Sequence, residues 1–431
     1  MSAPSQRPEA ILPKVHTLAN GVRVICDPMP GLQTVALSVV AGRGARSEDE
    51  TRSGWSHLLE HMVFKGAGGR SAKAIVEAIE DQGGNINAAT GYERTSFQVR
   101  ALAGGLDLGS AVLADLVQRP TMDAADLSRE KQVVGQEIAE AADAPDDLVF
   151  EMAQEVAFEG QPLGRPILGT PLSIGPATPE TLNAWRTTLY GPESLVISAA
   201  GAVDEDQLLA LAERDFGDLT AQPAQGLAAP ARFVGGVRAT AKPLEQVNLV
   251  LLLPAVGVRD PDYLALRLLA EILGGGMASR LFQEAREVRG LAYAIDAYSE
   301  TYAEVGALGV FAGCAAKDAV ELVKVVAGEV TGMLTPVGTA ELARAKAQLK
   351  GSMFMARESA LARSEQAASQ VLVFGELLDP LAMAQGIDAV TADDLVRLTG
   401  RILASGQAAT SILGPKAALK AAPAFAQALY G

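Results

Sequence analysis

Histidine is scarce in this chain of 431 residues: there are only His16, His57 and His61. Cysteine is scarcer still. Cys26 and Cys314 stand far apart, which excludes a disulfide framework and a cysteine-built zinc cluster. No uncharged run reaches the ~18 residues that a spanning helix needs. The opening residues, MSAPSQRPEAILPK, show no continuous apolar core of a secretory signal, so a cytoplasmic protein is the expectation. Positive charge is in deficit, with 36 Lys and Arg against 51 Asp and Glu, a net −15. That balance argues against nucleic acid and against an anionic membrane as partners. What abounds is apolar: 49% hydrophobic with 20% charged residues describe a chain able to bury large cores. Its length exceeds one typical core, so at least two domains are expected.

The order of elements repeats along the chain. Residues 15–42 alternate apolar and polar positions around Asn20-Gly21, a hairpin pattern. Helical periodicity covers roughly 53–65 and 71–82, and NINAATGYERTSFQVRAL reads as two strands turning near Gly91. Residues 106–158 are helical. TPETLNAWRTTLY starts a helix with Thr178 as its cap, SLVISAAG is a buried strand, and DEDQLLALAERDF is another capped helix. Between Gly217 and Lys242 alanine, proline, glycine and glutamine accumulate, the texture of a linker. The outline then recurs: the strand VNLVLLLPAVG, a helical stretch broken by glycines at 274–276, the strands LAYAIDAYSE and GALGVFAGC, long helices, and a closing TADDLVRLTGRIL and ATSILG. Laying HLLEHMVFKGAGGR over RLLAEILGGGMASR sets Glu60 near Glu271 and removes both histidines. The pattern predicts an internal duplication in which only the first copy kept the histidine pair. The predicted fold is α+β. It has two similar domains, 1–218 and 235–431, joined by a linker at 219–234, each a mostly antiparallel sheet packed with helices.

Two of the three histidines share the stretch SHLLEHMVFKG, residues 56–66. On a helix, positions i and i+4 lie on one face with i+3 beside them, so His57, Glu60 and His61 converge. Zinc accepts imidazole nitrogen in tetrahedral geometry, keeps an open position at catalytic sites, and lowers the pKa of a water there to about 7. A neighbouring carboxylate can take that proton. The order His-x-x-Glu-His is the inverzincin signature. A third protein ligand is still needed, and His16 falls in a presumed N-terminal strand, so a carboxylate is expected. DLSREKQVVGQEIAEAADAPDDLVFE, read as a helix, puts Glu130, Glu137 and Glu140 on one face at spacings of seven and three. Such a face is commonly solvated surface, but Glu137 sits among Val133, Val134 and Ile138.

With these residues in hand, the chain resembles the pitrilysin/insulinase family of zinc peptidases, and within it the shorter bacterial members similar to processing peptidases. SHLLEHMVFKG matches that family's zinc helix at both histidines, the glutamate and the apolar frame. The resemblance implies that Glu137, 76 residues beyond His61, is the third ligand, with Glu130 seven residues before it. Glu130 and Glu140 would then orient the histidines or Glu137. GGNINAATGYERTSFQV resembles the strand whose edge pairs with substrate, which implies roles for Asn87 and Ala88. AREVRGLAY resembles an Arg/Tyr pair that grips the substrate or polarises the scissile carbonyl, here Arg286 and Tyr293. With GGGMASRLF and ELARAKAQLKGSMFMARES, the resemblance runs from about Val15 to about Gly414.

What the resemblance implies is a zinc endopeptidase holding one Zn²⁺ per subunit, with Glu60 as general base. Its substrates would be unfolded peptides or flexible segments, enclosed between two subunits. The expected assembly is a homodimer in which the zinc site of one subunit faces Arg286 and Tyr293 of the other. Two further readings stay open: a catalytic subunit that needs a different partner chain, and a non-catalytic peptide-binding subunit. Relatives of the last kind lose a metal-site residue, and all four are present here.

Overall fold

Apolar runs build the middles of two sheets in the computed structural model, which describes residues 12–220 and 229–431. The predicted linker at 219–234 therefore lies in part, at 221–228, outside the described residues. The first sheet opens with β1 (Val15–Thr17), β2 (Arg23–Pro28) and β3 (Thr34–Ala41). A small ribbon follows, β4 (Gly66–Ala67) with β5 (Arg70–Ser71), and then β6 (Asn85–Thr90), β7 (Thr95–Leu102) and β8 (Leu195–Gly201). Its spatial order is β1-β2-β8-β3-β7-β6. All seven residues of β8 are buried, as a central strand covered on both faces requires. At the edge, β6 alternates between exposed and half-buried positions. The predicted hairpin around Asn20-Gly21 is only β1 against β2. Strand β3 leaves it to pair with β7 and β8, because its near-continuous apolar run needs the centre of the sheet.

The second sheet contains β9 (Gly236–Ala241), β10 (Val247–Val256), β11 (Ala292–Thr301), β12 (Val305–Cys314) and β13 (Ala409–Gly414), in the order β11-β12-β10-β13-β9. Taken in chain order, its strands occupy the same places as β2, β3, β6, β7 and β8 of the first. The one parallel pair recurs as well, β2 with β8 and β13 with β9. Two mixed α/β halves with identical strand order and sense are what an internal duplication leaves behind.

Five helices of the first half position the site: α1 (Trp55–Val63), α2 (Ala72–Glu80), α3 (Leu106–Gln118), α4 (Ala124–Asp143) and α5 (Pro145–Ala157). The predicted helical run 106–158 is thus broken twice, before Asp123 caps α4 and where Pro145 starts α5. In the second half the stretch after Tyr263–Gly274 is also discontinuous. A Cβ at Gly274 would sit 2.1 Å from the Ala297 amide nitrogen, and Phe282–Val288 is wound as a π-helix.

The halves exchange helices. The first half's α5 packs on the second sheet, with Val149 and Met152 among Val250, Leu252 and Leu413, and Ser411 Oγ donates to Val149 O at 2.7 Å. In return, Ala360–Phe374 covers the first sheet, with Ala368 and Val371 against Ile25, Val40 and Val196. Arg363 makes a two-pronged pair with buried Asp27 at 2.5 and 2.6 Å. The two helices hold equivalent places in the repeat, so the swap is reciprocal. Both cysteines are buried strand residues, and burial pushes each thiol up to about 12. Among the described residues, no helix is long and apolar enough to cross a membrane.

Candidate active site

One helical period divides α1 into two faces. Leu58, Leu59, Met62 and Val63 go to the core, while His57, Glu60 and His61 stay half-buried on the opposite stripe. The start of α1 is pinned. Gly54 at its N-cap has φ +87°, and a Cβ there would lie 2.5 Å from Leu168 O. Trp55 Nε1 donates to Ser173 O at 2.9 Å, and Trp185 Nε1 donates to Ser56 Oγ at 3.2 Å. Buried Glu48 caps the helix, accepting from the Gly54 and Ser56 amides at 2.8 and 2.6 Å.

Burial pushes the Glu48 carboxyl up to about 7, against the opposing pull of Ser56, Gly54 and Arg165. A folded pKa above the unfolded value of 4.5 means that this group favours the fold most below 4.5. The benefit is lost as pH rises through 7. The shift corresponds to about 3 kcal/mol. In urea unfolding of metal-free protein, Glu48→Gln should therefore gain about that much on the wild type between pH 4.5 and 8. A constant difference across that range would refute the assignment.

Helix α4 packs along α1, with Leu127, Glu130 and Val134 buried at spacings of three and four. The next residue on that face is Glu137. Its Oε2 lies 3.4 Å from His61 Nε2 and 3.8 Å from His57 Nε2. One ligand atom from each of the three residues falls within 4.8 Å of the others. Bonds of about 2.0–2.1 Å in a tetrahedron set ligand atoms about 3.3 Å apart, close to the two separations seen here. Glu137 Oε2 is buried with no hydrogen-bond partner. An unpaired carboxylate oxygen facing two imidazoles suits a divalent cation between them, so the residues fit zinc. Burial, then neighbouring His61, pulls His57 down to about 4, which keeps that ring in the neutral, metal-binding form.

His61 Nδ1 lies 3.0 Å from Glu130 Oε2, and Lys65 Nζ sits 2.8 Å from Glu130 Oε1. Glu130 is 5% exposed. Its carboxylate accepts from Nδ1–H, leaving the Nε2 lone pair aimed at Glu137, the pattern that orients a ligating histidine. His57 Nδ1 has no such partner. Glu60 accepts from Thr90 Oγ1 at 2.5 Å. Burial pushes its carboxyl up, and the Thr90 hydrogen bond opposes that. Glu140 does not join the cluster: it is exposed and lines a shallow groove with Gln136 and Asp143. His16 lies elsewhere, 2.6 Å from Glu205.

Strand β6 ends beside this cluster. Gly91 N donates to Arg94 O at 2.7 Å, and antiparallel pairs alternate. Main-chain groups of Ala89 and Asn87 therefore turn inward to β7, while those of Thr90 and Ala88 turn to the free edge. Of the two predicted strand contacts, Ala88 thus offers its main chain, whereas Asn87 offers only an exposed side chain on the far face, opposite Gln98. That far face borders a cavity of about 2150 Å³ between the halves, lined by Ala89, Tyr92, Arg94, Tyr302 and Glu365 among others. None of His57, Glu60, His61 or Glu137 lines it, so this cavity is not where the imidazoles converge.

Arg286 and Tyr293 sit in the second half. Arg286 belongs to the π-helix, with its guanidinium 4.7 Å from the Phe282 ring centroid. Tyr293 occupies a bulge in β11 and is 60% exposed. Neither has a hydrogen bond or ion pair to the α1–α4 cluster among the described residues. Sequence reasoning missed Thr90, Lys65 and Glu48. Lys65 had a visible signal, one helical turn beyond His61. Thr90 shares strand parity with Ala88, and nothing local marked Glu48.

A duplicated α+β chain whose first half gathers two imidazoles and a carboxylate, with a second carboxylate beside them, has the framework of a zinc hydrolase. Residues 23–171 match the family model described as insulinase (peptidase family M16), and 176–349 match that of the peptidase M16 inactive domain. A protein described as an uncharacterized zinc protease from Rickettsia felis is 36% identical over 407 residues, covering 93% of this chain and 97% of its own. A counterpart from Mycobacterium tuberculosis is 32% identical, covering 100% and 99%. The chain belongs to the M16, or insulinase, family of zinc peptidases. In fold it resembles the crystal structure of a Helicobacter pylori protease, with a TM-score of 0.85, 20% identity and coverage of 94% and 99%. It also resembles a chain of complex III from Candida albicans, with a TM-score of 0.84, 21% identity and coverage of 96% and 99%.

Proposed function

We propose that this protein is a zinc-dependent endopeptidase that cleaves unfolded peptides or flexible segments in a chamber closed by two subunits. The observation that carries this reading is the convergence of His57, His61 and Glu137 on one point, with Glu60 one residue from His61. These three residues would hold one Zn²⁺ per chain, which supplies Lewis acidity toward water and a peptide carbonyl. Glu60 accepts the proton from the attacking water and carries it to the leaving nitrogen. Glu130, with Lys65 on its other oxygen, holds the His61 ring in place. The free edge of β6 takes the peptide as an added strand through the main chain of Ala88 and Thr90, so recognition is largely independent of side chains.

Arg286 and Tyr293 complete the site from a second copy of the chain, which makes the working unit a homodimer. The exposure of Tyr293 in a bulge and of Arg286 on a π-helix supports this, since both features recur at functional positions. The division into units 1–218 and 235–431 belongs to the same proposal. It is supported by the sheets, which part between Gly201 and Gly236. A second reading, a subunit that needs a different partner, draws on the fold's likeness to a chain of the fungal complex III assembly.

The purified chain alone should hydrolyse an unstructured fluorogenic peptide, lose turnover to a chelator and regain it with Zn²⁺. No turnover by the metal-loaded single chain would reject this reading and leave a subunit that needs a different partner or one that only binds peptides. Mixing Glu60→Gln with Arg286→Ala chains should restore about a quarter of wild-type activity, because half the dimers carry one intact composite site. No recovery would reject the arrangement across subunits.

A further inference from the structure

We infer that Thr90 is a positioning residue that orients the Glu60 carboxylate and ties that orientation to peptide docking on β6; the inference rests on the endopeptidase reading above. Thr90 Oγ1 donates to Glu60 Oε2 at 2.5 Å, the one side-chain hydrogen bond that Glu60 receives among the described residues. With Oε2 held, Oε1 remains for the proton of water. A carboxylate with neither oxygen held can rotate between arrangements, and general-base catalysis needs the accepting oxygen within hydrogen-bond reach of its proton. The β-branched side chain adds to this control, because its χ1 is restricted by the strand backbone.

The position of Thr90 gives the contact a second consequence. It is the last residue of β6, with its side chain on the α1 face and its N–H and C=O at the free edge. One residue therefore presents main-chain groups to an added strand and a hydroxyl to the base. Its placement is rigid, because the turn beyond it is anchored. Tyr92 Oη donates to Arg165 O at 3.1 Å. Glu93 pairs with Arg46 and accepts from the Ala303 amide of the other half at 3.1 and 3.2 Å. The hairpin cannot shift without disturbing both halves, so it presents Thr90 to Glu60 from a fixed frame.

The experiment compares Thr90→Val, which keeps the shape and removes the donor, with Thr90→Ser, which keeps the donor. On an unstructured peptide, Thr90→Val should lower kcat by about 10–100-fold, while KM stays within about 3-fold and zinc content is unchanged. Thr90→Ser should recover to within about 5-fold of wild type. Wild-type kcat in Thr90→Val, or equal losses in both variants, would overturn the inference. A readout independent of turnover is thermal unfolding of metal-free protein. Thr90→Val should lower Tm by about 2 °C in the wild-type background and leave Tm unchanged in Glu60→Ala. Equal shifts in both backgrounds would also overturn it. If the wild type itself shows no turnover, the endopeptidase reading falls, and the Tm comparison alone decides whether Thr90 holds Glu60.

Discussion

Glu60→Gln should bind zinc like the wild type and lose about 10²–10⁴-fold in kcat on an unstructured peptide, the range that a positioned general base contributes. The substitution keeps the volume of the side chain and its capacity to accept from Thr90 Oγ1, but an amide cannot take a proton from water. Glu60 is not among the three residues whose donor atoms converge, so the metal set is left intact. The expected signature is a fall in kcat with KM and zinc stoichiometry unchanged. Turnover within a few-fold of wild type would remove Glu60 from the mechanism.

Removing Glu137 should act on the metal first. Glu137→Ala leaves two imidazoles, and zinc affinity measured by competition with a chromogenic chelator should fall by at least roughly 100-fold. Loss of a residue that merely orients a ligand already costs about 10–100-fold. Glu130→Gln should fall within that lower range, because it weakens the grip on His61 Nδ1 and leaves all three donor atoms in place. Glu140→Gln should change nothing measurable, since its side chain is exposed and apart from the cluster. Wild-type zinc affinity in Glu137→Ala would mean that the third donor lies elsewhere. A Glu130 effect larger than that of Glu137 would exchange their roles.

Much of the cluster was legible because helices convert spacing into direction. His57, Glu60 and His61 share a stripe on α1 by period alone. Glu130 and Glu137 share a face of α4 because seven residues make nearly two turns. The same arithmetic admitted Glu140, which a face count cannot separate from its neighbours. What separates them is how closely α4 runs beside α1, and that distance is a tertiary quantity. Asn87 shows the matching limit in strands. A motif names a strand, but which residues turn their main chain outward depends on the register of the hairpin, fixed here by the Gly91–Arg94 hydrogen bond.

The fold was legible to a similar depth. Buried strands, capped helices and the recurrence of their order follow from local patterns of apolar and capping residues, and they predict two related α+β halves. The exchange of α5 for Ala360–Phe374 left no local trace, because an apolar helix face is the same whichever sheet it covers. Thr90 against Glu60, and Glu48 at the head of α1, were equally hidden: each pairs residues on separate elements whose approach no spacing encodes. The amino-acid order thus set the donors, their helical faces and the duplicated framework, since those depend on neighbours within a few turns. Packing alone decided which glutamate reaches the histidines, which hydroxyl holds the base and which half supplies each covering helix, since those depend on distances between elements far apart in the chain.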